Sequence, residues 1–284
     1  MATSVLFDAP GPRTVARHRL YTVVSLIALL ALVAYAVKRL ADAGQFEYAL
    51  WEPFVTPRYL TAILEAWRDT VVMAVLSVLG AVVFGLIFGV GKFSEHRPVR
   101  WTAWLVVEFF RAVPVIMLMI FCFYAIFVDM PIARGAFWSV VLALTLYNGA
   151  VLAEVFRAGV LAVPSGQAEA AYALGMRKTQ VMMSIQLPQG VKIMLPAIIS
   201  QCVVALKDTS LGYAVAAPGL TIVGRQIYTD PDFGGNQVPT VIVLAAIYIV
   251  VNLLLTALAT WIQKRFVGEK RIEVTAVGTT TPVL

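Results

Sequence analysis

Long apolar runs separated by short polar stretches set the pattern of the chain. Six of them reach or approach the roughly 20 residues a helix needs to cross a bilayer. They are Leu20–Val37, Thr70–Val90, Trp101–Val128, Ala136–Phe156, Ile193–Ala216 and Val238–Ile262. Lipid offers no partner to a free backbone N–H, so each run is expected to be a helix. The third run is longer than a crossing needs, which predicts a tilted span or one that enters from the interface. Ahead of the second run, Tyr59–Asp69 (YLTAILEAWRD) is amphipathic and predicts a helix lying along the membrane surface. The fold class is therefore all-α, a polytopic membrane bundle of about six transmembrane helices.

One polar interruption stands apart. Pro164–Pro188 (PSGQAEAAYALGMRKTQVMMSIQLP) reads as two short helices. The first covers Gln167–Leu174 and stops at Gly175, the residue type that most easily turns left-handed past a helix end. The second covers Lys178–Ile185 and stops before Pro188. Ala168, Ala171 and Tyr172 share a face of the first; Val181, Met182 and Ile185 share a face of the second. Helices this short do not stand alone in water, so the pair wants a partner, either the headgroup layer or a groove on another protein.

Composition and charge sharpen this picture. Of all residues, 60% are apolar and 13% charged, where a soluble domain carries about 25% charged residues. A water-soluble single domain is excluded. The net charge of +6 does not mark a nucleic-acid face, because the basic residues are spread over the loops between spans. Fourteen Lys and Arg fall in the termini and loops on the side of Pro164–Pro188, among them Arg13, Arg17, Lys92, Arg97, Arg177 and Lys178. Six fall on the other side: Lys38, Arg39, Arg58, Arg68, Arg134 and Arg225. The richer side is expected to be cytoplasmic, with both termini. Trp101, Trp104 and Trp261 suit headgroup anchoring. Arg13–Arg19, the apolar Leu20–Val33 and Ala34-Tyr35-Ala36 read either as an uncleaved anchor or as a signal peptide with a small-residue cleavage site.

Several chemistries drop out. Cys122 and Cys202 lie inside apolar runs and His18 and His96 in basic flanks, so neither a metal site nor catalytic machinery is expected. Gly85–Ser94 (GLIFGVGKFS) fails the phosphate-loop pattern: residue 86 is leucine and residue 93 phenylalanine. No nucleotide site is expected in this chain. Gly85 and Gly89 lie four apart, a spacing for close helix packing.

Charges inside the spans point most sharply to function, since each costs a few kcal/mol at mid-bilayer and usually faces a cavity or a partner. Glu108 and Arg111 sit at i and i+3 and either pair with each other or serve a cavity; Pro114 follows. Lys207 and Asp208 lie about 21 Å into the fifth span, followed by Thr209, Ser210 and Gly212, a breakable polar region that suits a pathway lining. Asn148 and Tyr147 are placed to reach the same region from the fourth span. The candidate pathway residues are Arg111, Asn148, Lys207, Asp208 and Thr209. Glu154 and Arg157 read as a structural salt link. Two cations at membrane depth, Arg111 and Lys207, would suit a ligand bearing carboxylates if both bordered one cavity without local partners. The loop Pro218–Pro239, with Arg225, Asp230, Asp232 and Gly234-Gly235-Asn236, reads either as a receptor contact or as a solvated loop.

Glu169-Ala170-Ala171, Gly175, Ile185 and Leu187-Pro188 resemble in spacing the EAA loop of ABC-importer permeases. Tyr147-Asn148-Gly149-Ala150, Glu154–Gly159 and Leu206–Leu211 are similar to the polar-amino-acid branch of type I importers. Glu108-x-x-Arg111-x-x-Pro114 resembles the family's Arg-Gly-x-Pro element, with Ala112 where glycine is common. The resemblance implies a permease domain over 59–266, preceded at 1–58 by a tail, an extra helix and an outside loop, and followed by a tail at 267–284. It implies that Glu169, Ala170, Ala171, Gly175, Ile185, Leu187 and Pro188 form the cytoplasmic coupling helix. It further implies two ATP-binding subunits as partners that bind the ATP, a second permease subunit and an extracytoplasmic solute-binding protein. The substrate would be a polar amino acid, glutamate or glutamine. The alternative is an ATP-independent secondary transporter or channel.

Overall fold

The computed structural model describes residues 11–233 and 235–267, and these residues contain helices and no strand. The expected tail beyond Val267 lies outside the described residues. The helices are α1 (Pro12–Asp42), α2 (Tyr48–Trp51), α3 (Pro57–Gly91), α4 (Arg97–Ala112), α5 (Val115–Ile126) and α6 (Ile132–Leu161). Then come α7 (Ser165–Ala173), α8 (Lys178–Val181), α9 (Leu187–Asp208), α10 (Leu220–Tyr228) and α11 (Gln237–Val267). Five stretches are long and apolar enough to cross a membrane: α1, α3, α6, the run Lys178–Val215 and α11. The pair α4 and α5 makes a sixth if counted as one broken span.

The core lies where α3, α5 and α6 meet. Met73, Met119, Val140 and Leu144 are buried there. Small residues bring α3 onto α6: a Cβ on Gly85 would sit 2.8 Å from the Leu152 Cβ, and one on Gly89 2.9 Å from the Ala153 carbonyl oxygen. The Gly85/Gly89 spacing thus marks close backbone packing. The most apolar stretch of α1 buries nothing against the rest of the chain.

Three sequence expectations are corrected. The run Trp101–Val128 is not one tilted span: α4 and α5 bend by 103° across Val113-Pro114. Val113 precedes proline, which disfavours the helical region, and it is extended at φ −83°, ψ 128°. Tyr59–Asp69 is not a separate surface helix but part of the first turns of α3. Its apolar face, Tyr59, Ile63 and Ala66, packs on Leu220 and Ile227 of α10 instead of on lipid. The helix from Lys178 does not stop before Pro188. It continues through a widened π turn, Met182–Gln186, into α9. A proline ring crowds the carbonyl four residues back, here Ser184, and the wider turn sits at that point.

At the end of the bundle opposite α7, α9 gives way to a 3-10 segment, Thr209–Val215. Short connections then lead through α10 to α11. The Thr70 hydroxyl on α3 accepts the Leu220 backbone N–H at 3.1 Å, and the Tyr59 hydroxyl donates to Asp230. That bond, with the Asp232 N–H donating to the same side chain at 3.1 Å, holds the Asp230 carboxyl below its usual range.

Candidate functional site

The interruption between α6 and α9 folds into a helical protrusion. α7 ends in a Schellman arrangement: the Gly175 N–H donates to the Tyr172 carbonyl at 2.9 Å and the Met176 N–H to the Ala171 carbonyl at 3.1 Å. Gly175 takes φ +78° with open space around it, so the backbone, not the surroundings, demands glycine. The Gln180 side chain then accepts the Arg177 backbone N–H at 2.8 Å and opens α8.

Two side-chain contacts tie the protrusion down. Gln189 donates to Gln167 at 2.6 Å, and Lys178 Nζ lies 3.1 Å from Glu95 in the α3–α4 connection. Ala171, Val181 and Met182 face inward and are buried. Ile185 and Leu187 are half-buried, while Glu169, Ala170 and Pro188 are exposed. Tyr172 does not join Ala171 on the buried face: it is 46% exposed, and Leu174 is 84% exposed. The protrusion therefore offers an apolar tip with a carboxylate beside it.

At the same end of the bundle, a chain of charges crosses three helices. Arg111 reaches Glu108 at 3.3 Å; Glu108 reaches Lys92 at 3.4 Å; Lys92 also pairs with Glu154; and Glu154 accepts from Arg157 Nε at 2.9 Å. Lys92, just past α3, is the hinge of this network and its side chain is only 6% exposed. The Glu108–Arg111 and Glu154–Arg157 pairs are both legible as i,i+3 spacings. Lys92, which joins them, is not, because its partners are 16 and 62 residues away.

Among the described residues, no hydrogen bond or salt bridge joins the expected pathway residues to one another. Arg111 is held by Glu108, which removes the premise of an unpartnered cation. Asn148 is buried; it donates to the Leu144 carbonyl at 3.0 Å and accepts from Gln201 of α9. Thr209 is buried and donates to the Leu206 carbonyl at 2.7 Å. Asn148 is thus used in fastening α6 to α9, and Thr209 in a local bond back onto the end of α9. Lys207 is exposed and Asp208 half-buried at the point where α9 ends. Lys207 forms no salt bridge among the described residues. Gln201, the partner of Asn148, carried no sequence signal beyond being polar inside an apolar run.

Residues 81–268 match the family described as "Binding-protein-dependent transport system inner membrane component". The chain is 43% identical to the glutamate transport system permease protein GluD of Corynebacterium glutamicum, over 80% of this chain and 83% of that one. It is 30% identical to the probable glutamine ABC transporter permease protein GlnP of Bacillus subtilis, over 73% and 94%. Among solved structures, an amino acid ABC transporter crystallised with histidines aligns with a TM-score of 0.65 at 27% identity. That alignment covers 73% of this chain and 95% of the other.

Proposed function

Because this chain belongs to the family of binding-protein-dependent transport system inner membrane components, we propose that it is the permease of an ATP-driven glutamate importer, coupled through the α7 protrusion. The observation that carries the coupling role is the exposed apolar tip, Tyr172 and Leu174, on a helix too short to persist without a partner. A groove on an ATP-binding subunit would cover it, with Glu169, Ala170 and Ala171 at the contact and Gly175 fixing its angle. Ile185, Leu187 and Pro188 carry the motion into α9, since the helix does not break there. The ATP-independent alternative is withdrawn, because the relatives are permeases of ABC transport systems.

In the sequence, fourteen Lys and Arg fall in the segments on the side of Pro164–Pro188 against six on the other side, which supports a cytoplasmic protrusion and cytoplasmic termini. Nucleotide is bound by two partner subunits, not by this chain. A second permease, alike or identical, would complete the channel, and a solute-binding protein would deliver substrate at the α10 end. Lys207 and Asp208, at the end of α9, are the side chains left to face that shared channel. Glutamate is favoured by the 43% identical relative that transports it. The test is uptake into proteoliposomes that hold this permease with its ATP-binding subunits, with receptor outside and ATP inside. Glutamate accumulation that needs both is expected. Accumulation without ATP, or of arginine in place of glutamate, would overturn the reading.

A further inference from the structure

A cavity of about 460 Å³ opens between α4 and α6, beside the charge network. Lys92, Glu108 and Glu154 line it and are occupied with one another. Two other lining cations are under-used. Arg157 commits only its Nε, to Glu154, and its two terminal nitrogens make no hydrogen bond among the described residues. Arg100 donates one nitrogen to the Ser94 carbonyl at 3.1 Å and forms no salt bridge among the described residues. The lining sets three cations, Lys92, Arg100 and Arg157, against two carboxylates, Glu108 and Glu154, and Glu108 is shared with Arg111 outside the cavity, so the cavity has a surplus of positive charge.

The cavity's remaining wall is apolar. Trp101 and Trp104 stand edge to face with centroids 5.7 Å apart, and are 64% and 47% exposed. Beyond them Leu105 and Phe109 continue an exposed apolar face along α4. Tryptophan pairs of this kind lie at headgroup depth, apolar on one side and wet on the other.

We propose that this cavity binds an anionic phospholipid. Its phosphate would bridge Arg100 and the free nitrogens of Arg157, and its acyl chain would run over Trp101, Trp104 and Leu105. Guanidinium groups grip phosphate oxygens through paired N–H donors. Basic pockets between membrane helices hold anionic headgroups by the same chemistry. A soluble anion would satisfy the arginines but leave the apolar wall uncovered. The inference needs only the membrane-spanning bundle and not the ATP coupling.

The experiment is native mass spectrometry of the permease complex with its ATP-binding subunits, delipidated and then given phosphatidylglycerol or phosphatidylcholine of matched chains. Phosphatidylglycerol is expected to be retained in preference, and Arg100→Gln to cut that retention about fivefold. Arg97→Gln, an exposed cation outside the cavity, should leave it unchanged. Equal retention of the two lipids overturns the proposal, as does an equal effect of the two substitutions. Displacement of the lipid by soluble glycerol phosphate or by glutamate also overturns it, and assigns the cavity to a soluble anion. ATP-dependent uptake by the same preparation reports separately on the transport role. Selective lipid retention without such uptake would sink the transport reading and leave the lipid site standing.

Discussion

Gly159 of α6 and Gly190 of α9 meet backbone to backbone at the base of the α7 protrusion. A Cβ on Gly159 would lie 2.5 Å from the Gly190 carbonyl oxygen, and one on Gly190 2.8 Å from the Gly159 carbonyl carbon. The two helices that flank the protrusion are thus clamped where it begins and ends. Gly190→Val should force them apart and destabilise the bundle by about 1–3 kcal/mol. Thermal unfolding of the purified protein checks this. A midpoint equal to the parent's would show that the crossing relaxes freely.

Gly175→Ala tests the turn that aims the protrusion. The space around it is open, so the cost comes only from placing an L-residue at φ +78°, about 1–2 kcal/mol. Membrane abundance should stay near normal while substrate-stimulated ATP hydrolysis falls. Gly175→Asn, a side chain that tolerates this region, should recover part of it. Parental ATP hydrolysis in the alanine variant would show that the bend does not set the docking geometry.

Lys92→Met removes the cation that joins Glu108 to Glu154 and leaves Glu154 with Arg157 alone. The expected loss is on the order of 2–3 kcal/mol, short of a fully buried pair because both carboxylates keep some contact with solvent. Pairing the change with Glu154→Gln should restore part of the stability. A strictly additive double variant, measured by denaturation, would contradict the network.

The span count, the protrusion and its glycine turn were all legible, because each rests on local pattern: apolar length, a polar break, a residue type that tolerates positive φ. What was misread was decided by a distant partner or by a change of helix type within one turn. Tyr59, Ile63 and Ala66 look like a membrane-surface face until α10, more than 150 residues on, is seen to cover them. Nothing in the sequence pairs Asn148 with Gln201, 53 residues further on, whose side chain donates to it. Pro188 looks like a stop, and only the π turn before it shows how the helix passes through. Asn236, in a loop expected to be open, is fully buried.

The Tyr59–Asp230 bond ties the start of α3 to the connection after α10 and gives that end a pH dependence. Asp230 has a depressed folded pKa, so its contribution is complete above the unfolded value of about 3.9 and is lost as pH falls through the folded value. Tyr59→Phe should therefore lower the melting temperature at neutral pH, with the difference from the parent shrinking below about pH 4. A difference that holds constant into acid would mean that the bond does not depend on the carboxylate.

The docking of α7 on an ATP-binding subunit is tested most directly by a photo-reactive probe attached at Leu174→Cys in the assembled complex. Leu174 is the exposed tip of the protrusion, and Asp232→Cys, exposed near α10, is the control at the opposite end. Illumination should join residue 174 to an ATP-binding subunit and to no solute-binding protein, with the reverse at residue 232. Cross-linking of residue 174 to lipid alone, or to the solute-binding protein, would contradict the account.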